Sequence, residues 1–151
     1  MIKSLFAGAL LTLAVAGSAY AATDTEMDVR IDQLMGEGTH QQYHDFFDKL
    51  QKAVADKDSK TIASLVDYPI TVYVNKRKTN IKNTQNLIRV YDKVFDKKFS
   101  EIILEKKYSD LFARDIGVMV GDTGELWYSG ICTKKDCSKF VIRIIAINNN
   151  Y

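Results

Sequence analysis

Four groups of residues in this chain have the types and spacing to do chemistry. The first is a histidine pair, His40 and His44, with Asp45 and Asp48 close behind. On a helix, imidazoles four residues apart share a face and can meet one metal ion, with Asp48 one turn further on. The H-x-x-x-H spacing lacks the glutamate of an H-E-x-x-H site, and His40 is followed by Gln41 and Gln42, so surface or partly packed histidines are the plainer account. The second group is Arg114 and Asp115, with Asp110, Asp122 and Glu125 in the same C-terminal half. Two pocket carboxylates with separated pKa values can do acid/base work. Aspartates beside glycine more commonly shape turns, however, and Arg114 can neutralise its neighbour without a ligand. No nucleophile elbow, phosphate-cradling glycine loop or paired metal motif accompanies them, so the sequence assigns no catalytic residue, no metal and no cofactor.

The third group is aromatic. Trp127 and Tyr128 are adjacent in a strand-like run, and adjacent strand residues point to opposite faces. The expectation is a buried Trp127 and an exposed Tyr128, which with Tyr73 would form a recognition patch, because tyrosine offers a rigid surface and a polar tip. A pocket lined by Tyr91, Arg114, Asp115 and Trp127 would instead hold a small ligand. The fourth group is Cys132 and Cys137, the only cysteines. Their C-x4-C spacing lacks the two-residue interval of a redox motif, and no histidines lie nearby to complete a zinc site. In an oxidising compartment the pair is expected to form a disulfide across a turn.

The N-terminus points to such a compartment. Residues 1–21 read as a signal peptide: Lys3 precedes an apolar run from Leu5 to Ala16, and Ala19 and Ala21 occupy the A-x-A positions of a cleavage site. At roughly 1.5 Å per residue that run is too short to cross a bilayer of about 30 Å. The expected destination is the periplasm or the cell exterior, without stable membrane insertion after cleavage. Of 151 residues about 130 remain, enough for one domain and too few for two. The 21 basic side chains lose Lys3 with the leader and stand nearly level with the 19 acidic ones, so nothing in the overall charge draws the chain to nucleic acid.

The elements that must position these groups follow from periodicity. Residues 22–38 are polar and read as a lead-in with one helical turn around Arg30 to Met35. From Thr39, Tyr43, Phe46, Phe47, Leu50, Ala53 and Val54 recur at three and four residues, the stripe of an amphipathic helix. Asp58 or Ser59 can cap a shorter helix that Pro69 prevents from continuing. Ile70, Val72 and Val74 then alternate with polar residues as a strand, Asn75 to Lys78 make a solvated turn, and Thr79 to Ile81 begin the return. Asn83 or Thr84 can cap a helix bearing Leu87, Ile88, Tyr91, Val94 and Phe95. Residues 100–107 fit helix or strand. Strand-like runs follow at 116–121, 125–129 and 140–147, with the cysteine loop between the last two.

Helix, helix, hairpin, helix and then strands is an α+β order, with helices against one face of a largely antiparallel sheet. With FFDKLQKAVADKDSKTIASLVDYPI, LIRVYDKVF and DLFARDIGVMVGDTGELWYSG in that order, the chain over residues 40–148 resembles the cone-shaped NTF2-like domains, particularly small exported bacterial ones. The resemblance implies N-terminal helices on a curved, mostly antiparallel sheet, with residues 39–151 as the domain. It does not imply one activity, because that scaffold serves enzymes and non-enzymes alike. The leading expectation is a non-catalytic protein-binding domain, such as an inhibitor or immunity protein for a toxin or hydrolase. The alternatives are a small-molecule binder or enzyme using the cone pocket, and a structural homodimer.

Overall fold

The computed structural model describes residues 21–150, so the leader read over residues 1–21 lies outside it except for Ala21. The first element corrects the expected lead-in. Residues Asp24–Met35 form a 12-residue helix, α1. Thr23 and Glu26 make the reciprocal bonds of a capping box, and Met27 and Ile31, four residues apart, are buried. Few apolar side chains are needed because α1 covers an existing core: Leu34 and Met35 pack partly against it, and Val29 stays exposed. Gly36, with φ of 119°, closes it.

The next elements follow the stripes read from sequence. Helix α2 spans His40–Ala55 and buries Tyr43, Phe46, Phe47, Leu50, Ala53 and Val54. Helix α3 spans Ser59–Ser64 with Asp58 as its cap, α4 spans Thr84–Val94 capped by Asn83, and the ambiguous stretch becomes α5, Lys97–Leu104, capped by Asp96. Each cap side chain accepts an amide that the helix leaves unpaired in its first turn. Between α3 and α4, β1 (Ile70–Val74) and β2 (Arg77–Ile81) form a hairpin. Its turn is shorter than expected: only Asn75 and Lys76 lie between the paired Val74 and Arg77, both with positive φ, as a two-residue hairpin turn requires.

The main sheet is antiparallel, in the order β3 (Phe112–Arg114), β4 (Gly117–Val120), β5 (Leu126–Cys132) and β6 (Phe140–Ile147). The protein is therefore an α+β fold with its helices packed against antiparallel sheets. Neither edge of the main sheet is left bare. At the β6 edge the Ile144 amide donates to the Leu65 carbonyl at 2.8 Å, and the Asp67 amide donates to the Ile144 carbonyl at 2.9 Å. At the β3 edge the Arg30 guanidinium of α1 donates from Nε and Nη2 to the Ala113 carbonyl at 3.0 and 2.7 Å. Unpaired edge groups otherwise template pairing with another chain. No described helix is long and apolar enough to cross a membrane.

Candidate functional site

The register of the main sheet decides which side chains share a face. Ala113, Val118, Tyr128 and Ile144 are paired in one row, and all are fully buried. Helix α2 lies over this row, with the Tyr128 ring 6.0 Å from Tyr43 and 4.9 Å from Phe46. The neighbouring row, Phe112, Met119, Trp127 and Ala146, therefore faces away from the helices. In it Phe112 is 48% exposed, its ring meeting the Trp127 ring edge-on at 6.4 Å, while Met119 and Trp127 are half-buried. An extra residue, Ile145, bulges out where β6 passes Trp127 and Tyr128. Further along the same face, Ile131 pairs with Val141, which is 37% exposed.

This geometry reverses the expected roles of the aromatic pair. The alternation holds, but Tyr128 points inward and Trp127 outward. The reason is the helix layer: α2 brings Tyr43 and Phe46 to the side where Tyr128 lies. Burial raises the Tyr128 hydroxyl well above its ordinary pKa, so it stays neutral. A solvent-facing antiparallel sheet normally alternates apolar in and polar out. Here Phe112, Met119, Trp127, Ile131 and Val141 bring apolar side chains to the outward side as well, with Arg114, Ser129 and Arg143 in the row between them. Gly124 fits beside this row, because a Cβ there would lie 3.4 Å from the Trp127 indole nitrogen on a backbone with φ of 93°.

The remaining candidates lie in separate places. Arg114 and Asp115 are exposed and bond each other, Nε to Oδ1 at 3.1 Å. Asp110 is exposed, and Asp122 pairs with Lys106. Glu125 is buried but accepts from the Thr123 amide at 2.9 Å and the Thr123 hydroxyl at 2.7 Å. Burial acts to raise the Glu125 carboxyl, and the Thr123 bonds outweigh it and hold the group below its ordinary value. Among the described residues, none of Asp110, Asp115, Asp122 and Glu125 lines either of the two hollows beside Tyr91 and Tyr73.

Tyr91 is buried against Phe95, ring centroids 5.3 Å apart, and its hydroxyl has no hydrogen-bond partner among the described residues. It lines a groove of about 440 Å³ with Phe95, Ser100 and Leu104. An adjoining cleft of about 520 Å³ is lined by Tyr73, Lys76, Lys93 and Asn149, and the two share Asp92 and Asp96. Tyr73 is held there by Asn149, which accepts its amide at 2.8 Å and donates to its carbonyl at 2.7 Å. Tyr73 and Tyr91 thus border neighbouring hollows, and Arg114, Asp115 and Trp127 line neither.

The histidines also separate. His40 Nδ1 lies 2.7 Å from Asp32, and His44 Nδ1 lies 3.9 Å from Asp28, both aspartates on α1. The His44 ring stacks on Tyr108 at 3.7 Å. Among the described residues no three histidine, cysteine or acidic side chains are arranged to hold a metal ion. Cys132 and Cys137 are disulfide-bonded, with Cα atoms 4.8 Å apart. Sequence reasoning overlooked Phe112, Met119, Ile131 and Val141. The usable signal was the period-two pattern, which sets Met119 opposite Val118 and Val120; the other three join that face only through strand pairing. No family model matches the chain, nor does any curated protein or solved structure.

Proposed function

We propose that this chain is an exported, non-catalytic protein-binding domain of the NTF2-like type, and that it binds its partner on the open face of the main sheet. The observation that carries the reading is the apolar outward row of Phe112, Met119 and Trp127, a surface that water disfavours and a partner can cover. Inhibition of a toxin or hydrolase, the activity of an immunity protein, requires no more than such a complementary surface. Export is supported by the leader-like residues 1–21 and by the Cys132–Cys137 bond, which persists in oxidising compartments.

The test is affinity capture from periplasmic extract with the wild type and with a Phe112→Ser/Trp127→Ser variant, alongside sedimentation of the purified protein. A protein retained by the wild type and lost from the variant is the expected result. A dimer broken by the same variant would move the assignment to the structural homodimer. Capture that ignores the variant would remove the sheet face from consideration.

A second reading, a periplasmic small-molecule binder or enzyme, draws on the groove beside Tyr91, whose buried hydroxyl has no partner among the described residues. It predicts a thermal shift with a small ligand that is lost in Tyr91→Phe.

A further inference from the structure

At one end of the open face the chain adds charge to the apolar surface. Beyond the paired Cys132 and Phe140, the Thr133 amide still donates to the Lys139 carbonyl at 2.8 Å, which extends the ladder by one pair. Strand alternation then puts Lys139 on the same side as Val141 and Arg143. The exposed loop that closes this hairpin adds Lys134 and Lys135, and the disulfide ties its two arms together. The one acid in the loop, Asp136, is turned onto the Ser138 amide at 3.1 Å and the Ser138 hydroxyl at 2.9 Å.

None of Lys134, Lys135, Lys139 and Arg143 takes part in an ion pair among the described residues. The Arg143 guanidinium reaches only the carbonyl of its neighbour Ile142, at 3.2 Å. The other basic hairpin tip, Lys76 to Lys78, differs in its surroundings: Lys76 lines a cleft together with Asp92 and Asp96, so acidic side chains stand beside it. The counterweight lies on α1, where Asp24, Glu26, Asp28 and Asp32 face a single basic residue, Arg30. Each sign of charge thus has a local excess at these two places, while Lys52–Asp56, Lys97–Glu101 and Lys106–Asp122 pair elsewhere.

Resting on the protein-binding reading above, we propose that the partner is a protein whose contact surface has an apolar centre and an acidic rim, the rim meeting Lys134, Lys135, Lys139 and Arg143. Interface charges act mainly through complementarity, which speeds encounter and penalises like-charged partners. A second copy laid face to face does not supply that rim, since among the described residues none of the outward strand residues of the main sheet is acidic.

The test places a photoreactive benzoylphenylalanine at position 141 of the full chain in the producing cells and identifies adducts by mass spectrometry. Three backgrounds are compared: otherwise unchanged, Lys134→Glu/Lys135→Glu/Lys139→Glu, and Phe112→Ser/Trp127→Ser. Near-ultraviolet circular dichroism confirms that each is folded, and a Lys→Gln set at the same three positions provides a milder version. The expected result is an adduct on a peptide rich in aspartate and glutamate, reduced about tenfold or more by charge reversal, less by the Gln set, and lost in the serine variant. An adduct indifferent to charge but lost in the serine variant overturns the acidic partner and leaves the sheet-face reading standing. An adduct indifferent to both, or none in any background, overturns both readings. Charge-dependent binding to phosphatidylglycerol vesicles without a protein adduct assigns the face to a membrane surface and overturns the proposal, as does an adduct to a second copy.

Discussion

The carboxylate of Asp32 accepts two bonds from His40, one from its backbone amide at 2.9 Å and one from ring Nδ1 at 2.7 Å. The first supplies what α2 lacks, because its own cap residue, Thr39, makes no side-chain capping bond. A residue eight positions upstream thus caps the helix and fixes the α1–α2 turn. The second bond directs the His40 imidazole toward α1, and one turn along α2 His44 faces Asp28 of the same helix.

This arrangement predicts a specific acid dependence. Burial acts to raise the Asp32 carboxyl, but the bonds from the His40 amide, the His40 ring and the Gly38 backbone outweigh it and hold the group below its ordinary value of 3.8. A depressed folded-state pKa gives stability that is present above the unfolded value and is lost as pH falls through the folded one. Asp32→Asn should lower the melting temperature at neutral pH and flatten its decline below about pH 4. Thermal unfolding by circular dichroism across that range checks it, and an unchanged slope would remove Asp32 from the acid response.

At the alkaline end Tyr68 has the opposite sign. Burial pushes its hydroxyl up to about 12 from 10.0, and the hydroxyl donates to the Ala63 carbonyl at 2.8 Å. Its contribution is complete below the unfolded value and disappears as pH rises toward the folded one. Tyr68→Phe should cost about 0.5–1.5 kcal/mol at neutral pH, the net value of one hydrogen bond. The difference from wild type should narrow between pH 10 and 12, as followed by urea unfolding.

The β3 edge depends on Arg30. Replacing it with methionine keeps much of the aliphatic stem and removes both donors to the Ala113 carbonyl. Loss of a charged donor to a part-buried carbonyl should cost about 1.5–3 kcal/mol, and the uncovered edge should raise self-association. Denaturant melts and light scattering measure the two effects separately.

Gly130 and Tyr43 make a further constraint. The pairing of β4 with β5 ends at Val118 and Tyr128, and beyond it the Tyr43 hydroxyl accepts the Gly130 amide at 3.0 Å. Tyr43→Phe should cost about 1–3 kcal/mol, because it leaves that amide without its acceptor. Gly130→Ala should also destabilise, since a Cβ there would lie 2.9 Å from the Phe140 ring. Both are read from unfolding free energies.

The disulfide closes a short loop, with Cys132 and Cys137 five residues apart. Replacing both with serine should cost about 2 kcal/mol or less, since a short loop constrains the unfolded chain little. It should leave the main sheet intact in amide exchange.

The sequence by itself determined most of the elements and much of their punctuation. Helices α2 and α4 were legible because their stripes recur at three and four residues, and Asp58 and Asn83 cap through bonds within three residues. The Cys132–Cys137 bond was legible for the same reason: the information is local. Even α1 carried its mark in Thr23 and Glu26, although with only Met27 and Ile31 buried its apolar stripe was too sparse to announce packing. Tertiary structure decided what lies between elements. Period two told that Trp127 and Tyr128 face opposite ways, but which face is inside depends on where α2 lands, some eighty residues earlier in the chain. The same distance separates Arg30 from the β3 edge that it covers. Tyr91 and Trp127, expected to line one pocket, belong to different surfaces, and Tyr73 and Tyr128, expected in one patch, are likewise apart, because periodicity fixes an angle about an element's own axis and only packing fixes that axis against its neighbours.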